Sequence, residues 1–555
     1  MFRSLALAAA AVFLPVVAHA AHQPVRARNG MVVSRDAHAT DAGVAVLRSG
    51  GNAIDAAIAT GLALAVTHPA AGNIGGGGFM LIRFADGRTT FIDFRERAPE
   101  SASRDMYLGA DRKPTNDSVV GWRAAGVPGT VRGFELASKK YGTQPWADVV
   151  APAVALARDG FAVSWDLARS LRTRDLGRFP ETKRIFQRGG KPYEPGEKLV
   201  QPELAGTLDR IARNGAREFY EGETARRLAA AMKENGGTIT LDDLKRYQAI
   251  ERKPITGRYR NYEIISAPPP SSGGVGILQM LGVLEGTGYE KHGAGSAASI
   301  HWMAEAMRRY FADRSEYLGD PDFYRVPVAG LLDKKYIAGL RRSIDPNRAS
   351  SSATLSPGNP RQFEPTETTH YSVVDSKGNA VAVTYTLNGS YGSFVTAPGL
   401  GFLLNNEMDD FAARPGLPNM YGLVQGEANA IQPRKRPLSS MTPTIVLRDG
   451  KLFLVLGSPG GPTIINTVLN VLLNVIDFGM NVQDAVDAPR FHHQWLPDKL
   501  FVEPGISPDT SALLEARGHN IEIRNSIGDT AAIAVDAGWL EGAADPRTDS
   551  KAAGY

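Results

Sequence analysis

Cysteine is absent from the 555-residue chain. Without it the protein forms no disulfide, and it has neither a thiol nucleophile nor a thiolate-ligated metal. Stability must therefore come from a core, and a chain of this length with 43% hydrophobic residues can bury a large one. Composition alone allows two or more domains.

An excess of charge of either sign is also lacking. Lys and Arg number 62 against 58 Asp and Glu, which gives a net charge of +4 spread along the chain. The one tight basic run, Arg434-Lys435-Arg436, is followed by Pro437 and is typical of a solvated loop. The composition therefore does not favour a nucleic-acid-binding protein, although the sequence pI is about 9.0.

Long apolar runs are confined to the N-terminus. Residues 1–20 combine Arg3, an apolar stretch and the small-residue sequence Ala18-His19-Ala20, a pattern that predicts a secretory signal peptide cleaved after Ala20. The next most apolar stretch, 463–478, contains Asn and Asp residues and predicts a buried helix. The sequence therefore predicts a periplasmic or secreted protein with no membrane span after signal removal.

Two stretches look like cofactor or metal motifs but fail in their spacing. Residues 72–78, GNIGGGG, contain no G-x-G-x-x-G register and no Lys-Ser/Thr for a P-loop, so glycines for close backbone packing are the favoured interpretation. His492 and His493 lack the spacing of metal ligands, and structural or hydrogen-bonding roles are favoured. G-x-S-x-G is absent as well. We predict no cofactor and no metal.

The predicted secondary structure changes in character along the chain. A Ser-, Pro-, Thr- and Asn-rich segment, 347–367, is predicted to be exposed and mobile. Before it, helices alternate with short strands, and after it an alternating strand pattern begins. The other predicted elements are helical periodicity over 41–66 with a break at Gly50-Gly51, a hairpin at 79–94, helices over about 130–250 and over 298–319, and a second hairpin at 444–456.

A hairpin follows residue 367 directly. Strands are predicted at 371–375 and 380–387, and a turn centred on Lys377-Gly378 pairs residues whose numbers sum to 755. In that register Thr369 faces Thr386, and Thr386 and Asn388 flank Thr368. A threonine-rich strand edge and an asparagine at a turn explain the same residues equally well.

A backbone cut before Thr368 would give this residue both a nucleophile and a base. The freed α-amine has an unperturbed pKa of about 7.7–8.0, which suits a general base near neutral pH. It would sit on the residue whose hydroxyl it activates, so neither His nor Cys is needed as a partner. The segment 347–367 is where such a cut could occur.

Several stretches together closely resemble the γ-glutamyltransferases (γ-glutamyltranspeptidase, glutathione hydrolase) of bacterial type. The resemblance spans nearly the whole mature chain. It rests on GNAIDAA at 51–57, residues 72–80, DFRE at 93–96, TTHYSVVD at 368–375, TYTLN at 384–388, LNNEMDDF at 404–411, RPLSSM at 436–441, GSPGG at 457–461 and APRFHHQW at 488–495.

This resemblance implies an α+β fold of the N-terminal-nucleophile hydrolase type, a four-layer αββα sandwich. It also implies autocatalytic cleavage between Glu367 and Thr368. The products would be a large subunit, 21–367, and a small subunit, 368–555, which stay together as a heterodimer and build the fold jointly.

The resemblance also implies roles for individual residues. Thr368 is expected to be the nucleophile in self-cleavage and turnover, with Thr386 orienting it. Position 407 is Glu here, where some bacterial members carry Gln. The resemblance implies that Arg95, Ser439 and Ser440 hold the glutamyl α-carboxylate, and that Asn388, Glu407 and Asp410 hold the α-ammonium. The N–H groups of Gly460 and Gly461 would bind the oxyanion. Tyr421 would be the aromatic gate of a lid loop.

The implied reaction opens the γ-glutamyl amide of glutathione or a related compound through an ester on Thr368. Water, an amino acid or a dipeptide then takes the γ-glutamyl group. Two alternatives stay open from the sequence: a glutaryl-cephalosporin-type acylase of the same fold, and a periplasmic binding protein for glutamate-like ligands. The acylase would have less use for an ammonium site, and the binding protein would need no chain cleavage.

Overall fold

The structure is a computed structural model, which describes residues 22–357, 369–415, 419–420 and 426–555. The predicted signal peptide, 1–20, lies outside these residues. The strands are β1 Val25–Ala27, β2 Gly30–Ser34, β3 Gly77–Arg83, β4 Thr89–Asp93, β5 Phe161–Ala162, β6 Gln187–Arg188, β7 Lys191–Pro192, β8 Lys198–Leu199, β9 Ile250–Arg252, β10 Ile255–Tyr259, β11 Tyr262–Ser266, β12 Thr369–Asp375, β13 Ala380–Thr386, β14 Thr444–Arg448, β15 Lys451–Gly457, β16 Phe491–His492, β17 Leu500–Val502, β18 Ile521–Ile523, β19 Ala531–Asp536, β20 Trp539–Ala543 and β21 Lys551–Gly554.

Helices make up the outer layers and the connections. They are α1 Ala37–Arg48, α2 Ala53–Thr67, α3 Thr130–Tyr141, α4 Trp146–Asp159, α5 Trp165–Ser170, α6 Pro180–Phe186, α7 Pro202–Asn214, α8 Ala216–Glu221, α9 Glu223–Glu234, α10 Leu241–Arg246, α11 Gly273–Leu284, α12 Ala297–Tyr317, α13 Val328–Leu331, α14 Lys334–Arg342, α15 Thr463–Ile476, α16 Val482–Asp487 and α17 Pro508–Ala516. No helix of the described residues is long and apolar enough to cross a membrane.

Two antiparallel sheets form the centre of the fold. Sheet I has the strand order β21-β2-β12-β13-β3-β4-β9, and sheet II has the order β1-β20-β19-β15-β14-β11-β10. Each sheet contains strands from before residue 368 that are hydrogen-bonded to strands from after it. Either part of the chain alone would therefore leave unpaired strand edges.

Apolar side chains fill the space between the sheets and beneath the outer helices. Val374 and Ala382 of sheet I pack in one cluster with Ile445, Val455 and Ile533 of sheet II. Helices α1, α2 and α4 share a second cluster with the outer face of sheet I. Helices α11, α12 and α15 share a third with sheet II. The predicted αββα layering is present.

Helix α2 is the buried centre of the layer on sheet I. All of its residues are buried, and its alanines let the neighbouring helices and strands approach closely. Asn52 and Asp55 form a capping box at its start. Asp55 also accepts bonds from Thr143, from the backbone N–H at 3.0 Å and from the hydroxyl at 2.7 Å. Asp55 thus ties α2 to the segment after α3.

Most predicted elements are confirmed. The break at Gly50-Gly51 separates α1 from α2, the hairpins are β3–β4 and β14–β15, and the two long helices are α12 and α15. The glycines of 72–78 lie against backbone, as expected. A Cβ added to Gly76 would meet the carbonyl oxygen of Thr386 at 2.0 Å, so glycine is required there.

The predicted register of the β12–β13 hairpin is wrong by one residue. Thr369 pairs with Tyr385 rather than with Thr386. The reason is Gly378, which has a φ of 85° and adds a left-handed residue to the turn. The hairpin therefore has a three-residue loop closed by Asp375 and Asn379, whose backbone groups bond at 3.1 Å.

Residues 347–357, predicted to be mobile, are anchored instead. The backbone N–H of Ser352 donates to Asp498 at 2.7 Å, and the hydroxyl of Ser350 donates to Glu305 at 2.5 Å. The indole N–H of Trp495 donates to the carbonyl oxygen of Leu355 at 3.0 Å. These bonds to Glu305, Asp498 and Trp495 account for the difference, and the rest of the predicted segment lies outside the described residues.

We expect Asp55→Ala to lower the free energy of unfolding by about 2–4 kcal/mol, because it removes a helix cap and buried bonds to a charged acceptor. Urea unfolding in a Thr368→Ala background, where the chain is expected to stay uncut, measures this. Asp41→Ala, which changes a half-exposed Asp on α1, is the control, with an expected change within about 0.5 kcal/mol. Equal losses in both variants would contradict the prediction.

Candidate active site

Sheet I brings the predicted site residues to one of its ends. Strand β12 begins at Thr369, β13 ends at Thr386 and β4 ends at Asp93, two residues before Arg95. Neighbouring strands of this sheet are antiparallel, so the start of β12 lies at the same end as the last residues of β13 and β4. We call this end of sheet I the site end.

Arg95 is the centre of a buried charge cluster at the site end. Its side chain is 0% exposed, as are those of Glu407 and Asp410. The guanidinium donates to both carboxylates and, at 3.0 Å, to the carbonyl oxygen of Leu438. Burial lowers the pKa of Arg95, but the nearby carboxylate charges outweigh it and hold this pKa above its ordinary value. Arg95 is therefore charged.

Glu96 adds a third carboxyl group to this cluster. It lies 3.6 Å from the Nη1 atom of Arg95, and neither of its oxygens accepts a bond from another described residue. Burial, and then the charge of Glu407, raise the pKa of Glu96 well above its ordinary value. One guanidinium thus faces three carboxyl groups, and Glu96 is the one whose surroundings favour the protonated form. Glu96 belongs to a matched motif, but sequence reasoning gave it no role.

Ser439 and Ser440 lie in a buried turn beside Leu438. The hydroxyl of Ser439 accepts from the N–H of Met441 at 3.1 Å. The hydroxyl of Ser440 accepts from the Arg314 guanidinium at 2.5 Å. Arg314, on the buried helix α12, is a second residue that sequence reasoning missed, because its contact is made across 126 positions of the chain.

Thr386 and Asn388 extend the site beyond β13. The backbone N–H of Asn388 donates to the hydroxyl of Thr386 at 2.7 Å. The amide of Asn388 donates to the carbonyl oxygen of Asn406 at 3.0 Å, which links it to the residue before Glu407. Asn388 has a φ of 74°, a left-handed conformation that Asn tolerates better than most residues.

Gly460 and Gly461 lie directly before the buried helix α15. Their carbonyl oxygens accept from the backbone N–H groups of Thr463 and Ile464, both at 3.1 Å. In the described part of the chain neither glycine N–H donates to an acceptor. Because a helix N-terminus carries partial positive charge, these N–H groups suit an oxyanion. Gly460 has a φ of 127°, which requires glycine.

The buried histidines have structural partners. Burial lowers the pKa of His370 to about 3, and its ring nitrogens bond to the hydroxyls of Thr384 and Ser372. The predicted hydrogen-bonding roles of His492 and His493 are confirmed, since His492 bonds to Asn466 and Gln494, and His493 accepts from the N–H of Trp495. No group of His, Asp or Glu within the described ranges is arranged to hold a metal.

Three residues named from the sequence lie outside the described residues: Glu367 and Thr368 at the expected cleavage site, and Tyr421, the expected gate. The structure brings five of the other predicted residues to the site end in two groups, Arg95 with Glu407 and Asp410, and Thr386 with Asn388. Gly460 and Gly461 lie before α15, and no hydrogen bond of the described residues joins them to either group. Ser439 and Ser440 adjoin the first group through Leu438.

A family profile described as gamma-glutamyltranspeptidase matches residues 39–555. The chain belongs to the γ-glutamyltranspeptidase family. The glutathione hydrolase proenzyme of Escherichia coli strain K12 is 54% identical over 558 residues, covering 99% of this chain and 96% of that protein.

Solved structures support the same assignment. The cephalosporin acylase from Bacillus halodurans superimposes with a TM-score of 0.86 at 29% identity, covering 98% of this chain and 99% of that one. The Helicobacter pylori gamma-glutamyltranspeptidase gives 0.58 at 42% identity over 62% of this chain and 97% of that one. This γ-glutamyltranspeptidase family member is therefore an enzyme with the N-terminal-nucleophile hydrolase fold.

We expect Glu96→Gln to stabilise the enzyme at pH 8 by about 1 kcal/mol or more relative to wild type. The folded-state pKa of Glu96 is raised, so its contribution to stability is full below about pH 4.3, the unfolded value, and is lost as pH rises. Urea unfolding at pH 4 and pH 8 measures this.

The difference from wild type should be smaller at pH 4 than at pH 8. Glu515→Gln, which makes the same change on an exposed helix face, is the control for removing a carboxylate. A Glu96→Gln variant that is less stable than wild type at pH 8 would show that the buried carboxyl is needed as an anion.

Proposed function

We propose that Thr368 is the nucleophile of this enzyme and that its substrates are γ-glutamyl amides such as glutathione. The Thr368 hydroxyl adds to the γ-carbonyl carbon, the C–N bond breaks, and the amine leaves with the proton that the hydroxyl gave up. A γ-glutamyl ester remains on Thr368. Water then releases glutamate, or an amino acid or dipeptide amine forms a new γ-glutamyl amide, and the hydroxyl regains its proton.

The observation that carries this proposal is the buried group of Arg95, Glu407 and Asp410. A glutamyl group carries one carboxylate and one ammonium on the same carbon. Arg95, with Ser439 and Ser440, would hold the carboxylate, while the acidic pair and Asn388 would hold the ammonium. Substrate binding would replace ion pairs within the protein by ion pairs of the same kind with the ligand.

The remaining roles follow from the site end. The register of β12, continued by one residue, would set Thr368 opposite Thr386, whose hydroxyl already accepts a bond from Asn388. The N–H groups of Gly460 and Gly461 would receive the oxyanion that develops when the hydroxyl adds to the carbonyl. Tyr421 would form the gate of a lid.

Maturation would use the same nucleophile. Cleavage of the Glu367–Thr368 bond frees the α-amine that then serves as base. The products would be a large subunit, 21–367, and a small subunit, 368–555. Both sheets interleave strands from these two parts, which would hold the subunits together after cleavage. Export by the predicted signal peptide 1–20 would place the enzyme in the periplasm or outside the cell.

A glutaryl-cephalosporin-type acylase is the second candidate, because a cephalosporin acylase has this fold. Its glutaryl substrates lack the α-amine, which would leave the two buried carboxylates without a ligand group. The identity to glutathione hydrolase proenzymes, 54%, also exceeds the 29% identity to that acylase. Both observations favour the γ-glutamyl substrate.

We expect the wild-type protein to give two bands on a denaturing gel and Thr368→Ala to give one. The reason is that Ala has no hydroxyl to attack the preceding peptide bond. Thr369→Ala, which changes the neighbouring threonine, should still give two bands. Two bands from the Thr368→Ala variant would exclude self-cleavage by this residue, and a wild-type protein that stays uncut would contradict autocatalytic maturation.

We expect Asp410→Asn to lower kcat/KM for a γ-glutamyl anilide by about 30-fold or more, because a buried charge partner of the ammonium is lost. A glutaryl anilide, which has no ammonium, should lose less than about threefold. The control is Asp409→Asn, since Asp409 lies on the same turn but bonds to Ser118. Equal losses on both substrates would contradict the assigned role.

A further inference from the structure

A polar cavity of about 250 Å³ lies beside the site end of sheet I. Its lining includes Arg35, directly after β2, and Asn388, two residues after β13. In the sheet, β2 borders β12 on one side, whereas β13, β3 and β4 follow on the other. Along the site end the order is therefore Arg35, the start of β12, Asn388 and then Arg95. We call this cavity the β2-side cavity.

The charged groups that line the β2-side cavity leave one net positive charge. They are Arg35, Arg169 and Asp166. Asp166 pairs with both guanidinium groups, with that of Arg35 at 3.4 Å and with that of Arg169 more closely. His68 also lines the cavity, and burial, followed by the charge of Arg35, lowers its pKa well below the ordinary value, so its ring is neutral. One anionic group on a ligand would neutralise the net charge of these lining residues.

Asp529 also pairs with Arg35, at 3.4 Å, and it is not part of the cavity lining. Burial raises the pKa of this carboxyl to about 6, against the opposing effect of Arg35. Asp529 is therefore only partly ionised near pH 6. Above about pH 6 its charge opposes that of Arg35 from outside the cavity wall.

Asn388 joins the β2-side cavity to the proposed donor site. The residue is 2% exposed. Its amide nitrogen donates to Asn406, but within the described residues its amide oxygen has no partner. A buried acceptor without a donor is costly unless a ligand or water supplies one. The donor ammonium proposed above would supply it, so Asn388 sets the cavity directly beside the proposed donor site.

We propose that the β2-side cavity binds the amine partner of the reaction, an amino acid or short peptide with a free carboxylate. The carboxylate would lie on Arg35 and Arg169, and the amine would point to the start of β12. This inference rests on the proposed function. The cavity has the volume of roughly eight water molecules in the liquid, which is room for a ligand of dipeptide size.

The chemistry explains why one cavity serves both halves of the reaction. In the first half the amide C–N bond breaks and the amine leaves with a proton. In the second half an amine nitrogen attacks the ester carbon, the C–O bond to Thr368 breaks, and the proton from nitrogen returns to the threonine oxygen. The second step is the reverse of the first, so the leaving and entering amines occupy the same place.

The test compares glycylglycine with glycylglycinamide as acceptors of the γ-glutamyl group from a γ-glutamyl anilide. These two acceptors differ only in the carboxylate. In wild type we expect a lower KM for glycylglycine than for its amide. Arg169→Gln, which leaves the wall neutral, should reduce that preference by about tenfold. Asp166→Asn, which leaves two net positive charges, should increase it.

Arg178→Gln is the matched control. Arg178 pairs with Asp175 three positions earlier, as Arg169 does with Asp166, but it does not line the cavity. The Arg178→Gln variant should prefer glycylglycine over glycylglycinamide by the same factor as wild type. An unchanged preference in both Arg169→Gln and Asp166→Asn would overturn the cavity assignment. Failure of wild type to release the anilide would instead overturn the proposed function, so the two failures are distinguishable.

Discussion

The ion pairs of Arg95 with Glu407 and Asp410 are the interaction on which the site depends. All three side chains are fully buried, and a buried charge is tolerated only with a partner of opposite sign. The pairs join the end of β4 to a turn more than 300 residues later in the chain. They also present a cation and anions side by side, which is the arrangement that an α-amino acid group requires.

The second constraint is that each sheet is built from strands of both parts of the chain, the part before residue 368 and the part after it. Strand β2, from before residue 368, lies between β21 and β12, from after it. A chain cut at 368 would keep these ladders, because their hydrogen bonds join the two parts without the covalent link, and the apolar layer between the sheets contains residues from both parts. The fold can therefore supply a nucleophile at a new chain start without losing its core.

Local features of the structure could be predicted from the sequence because local physics decides them. The break between α1 and α2 follows from Gly50-Gly51, and the β3–β4 hairpin from its apolar strands around Asp86-Gly87. The β12–β13 register could not be predicted reliably. One left-handed glycine, Gly378, shifts every pair by one residue, and the side-chain pattern alone does not reveal that shift.

The sequence by itself determined the family, the layered α+β fold and the set of candidate residues, since motifs and strand periodicity are written in the order of the residues. Only the tertiary structure decided which charges meet. The raised pKa of Glu96, the contact of Arg314 with Ser440 and the cavity between Arg35 and Asn388 all depend on residues far apart in the chain. Burial and proximity set their charge states, and both arise only when the sheets and helices pack.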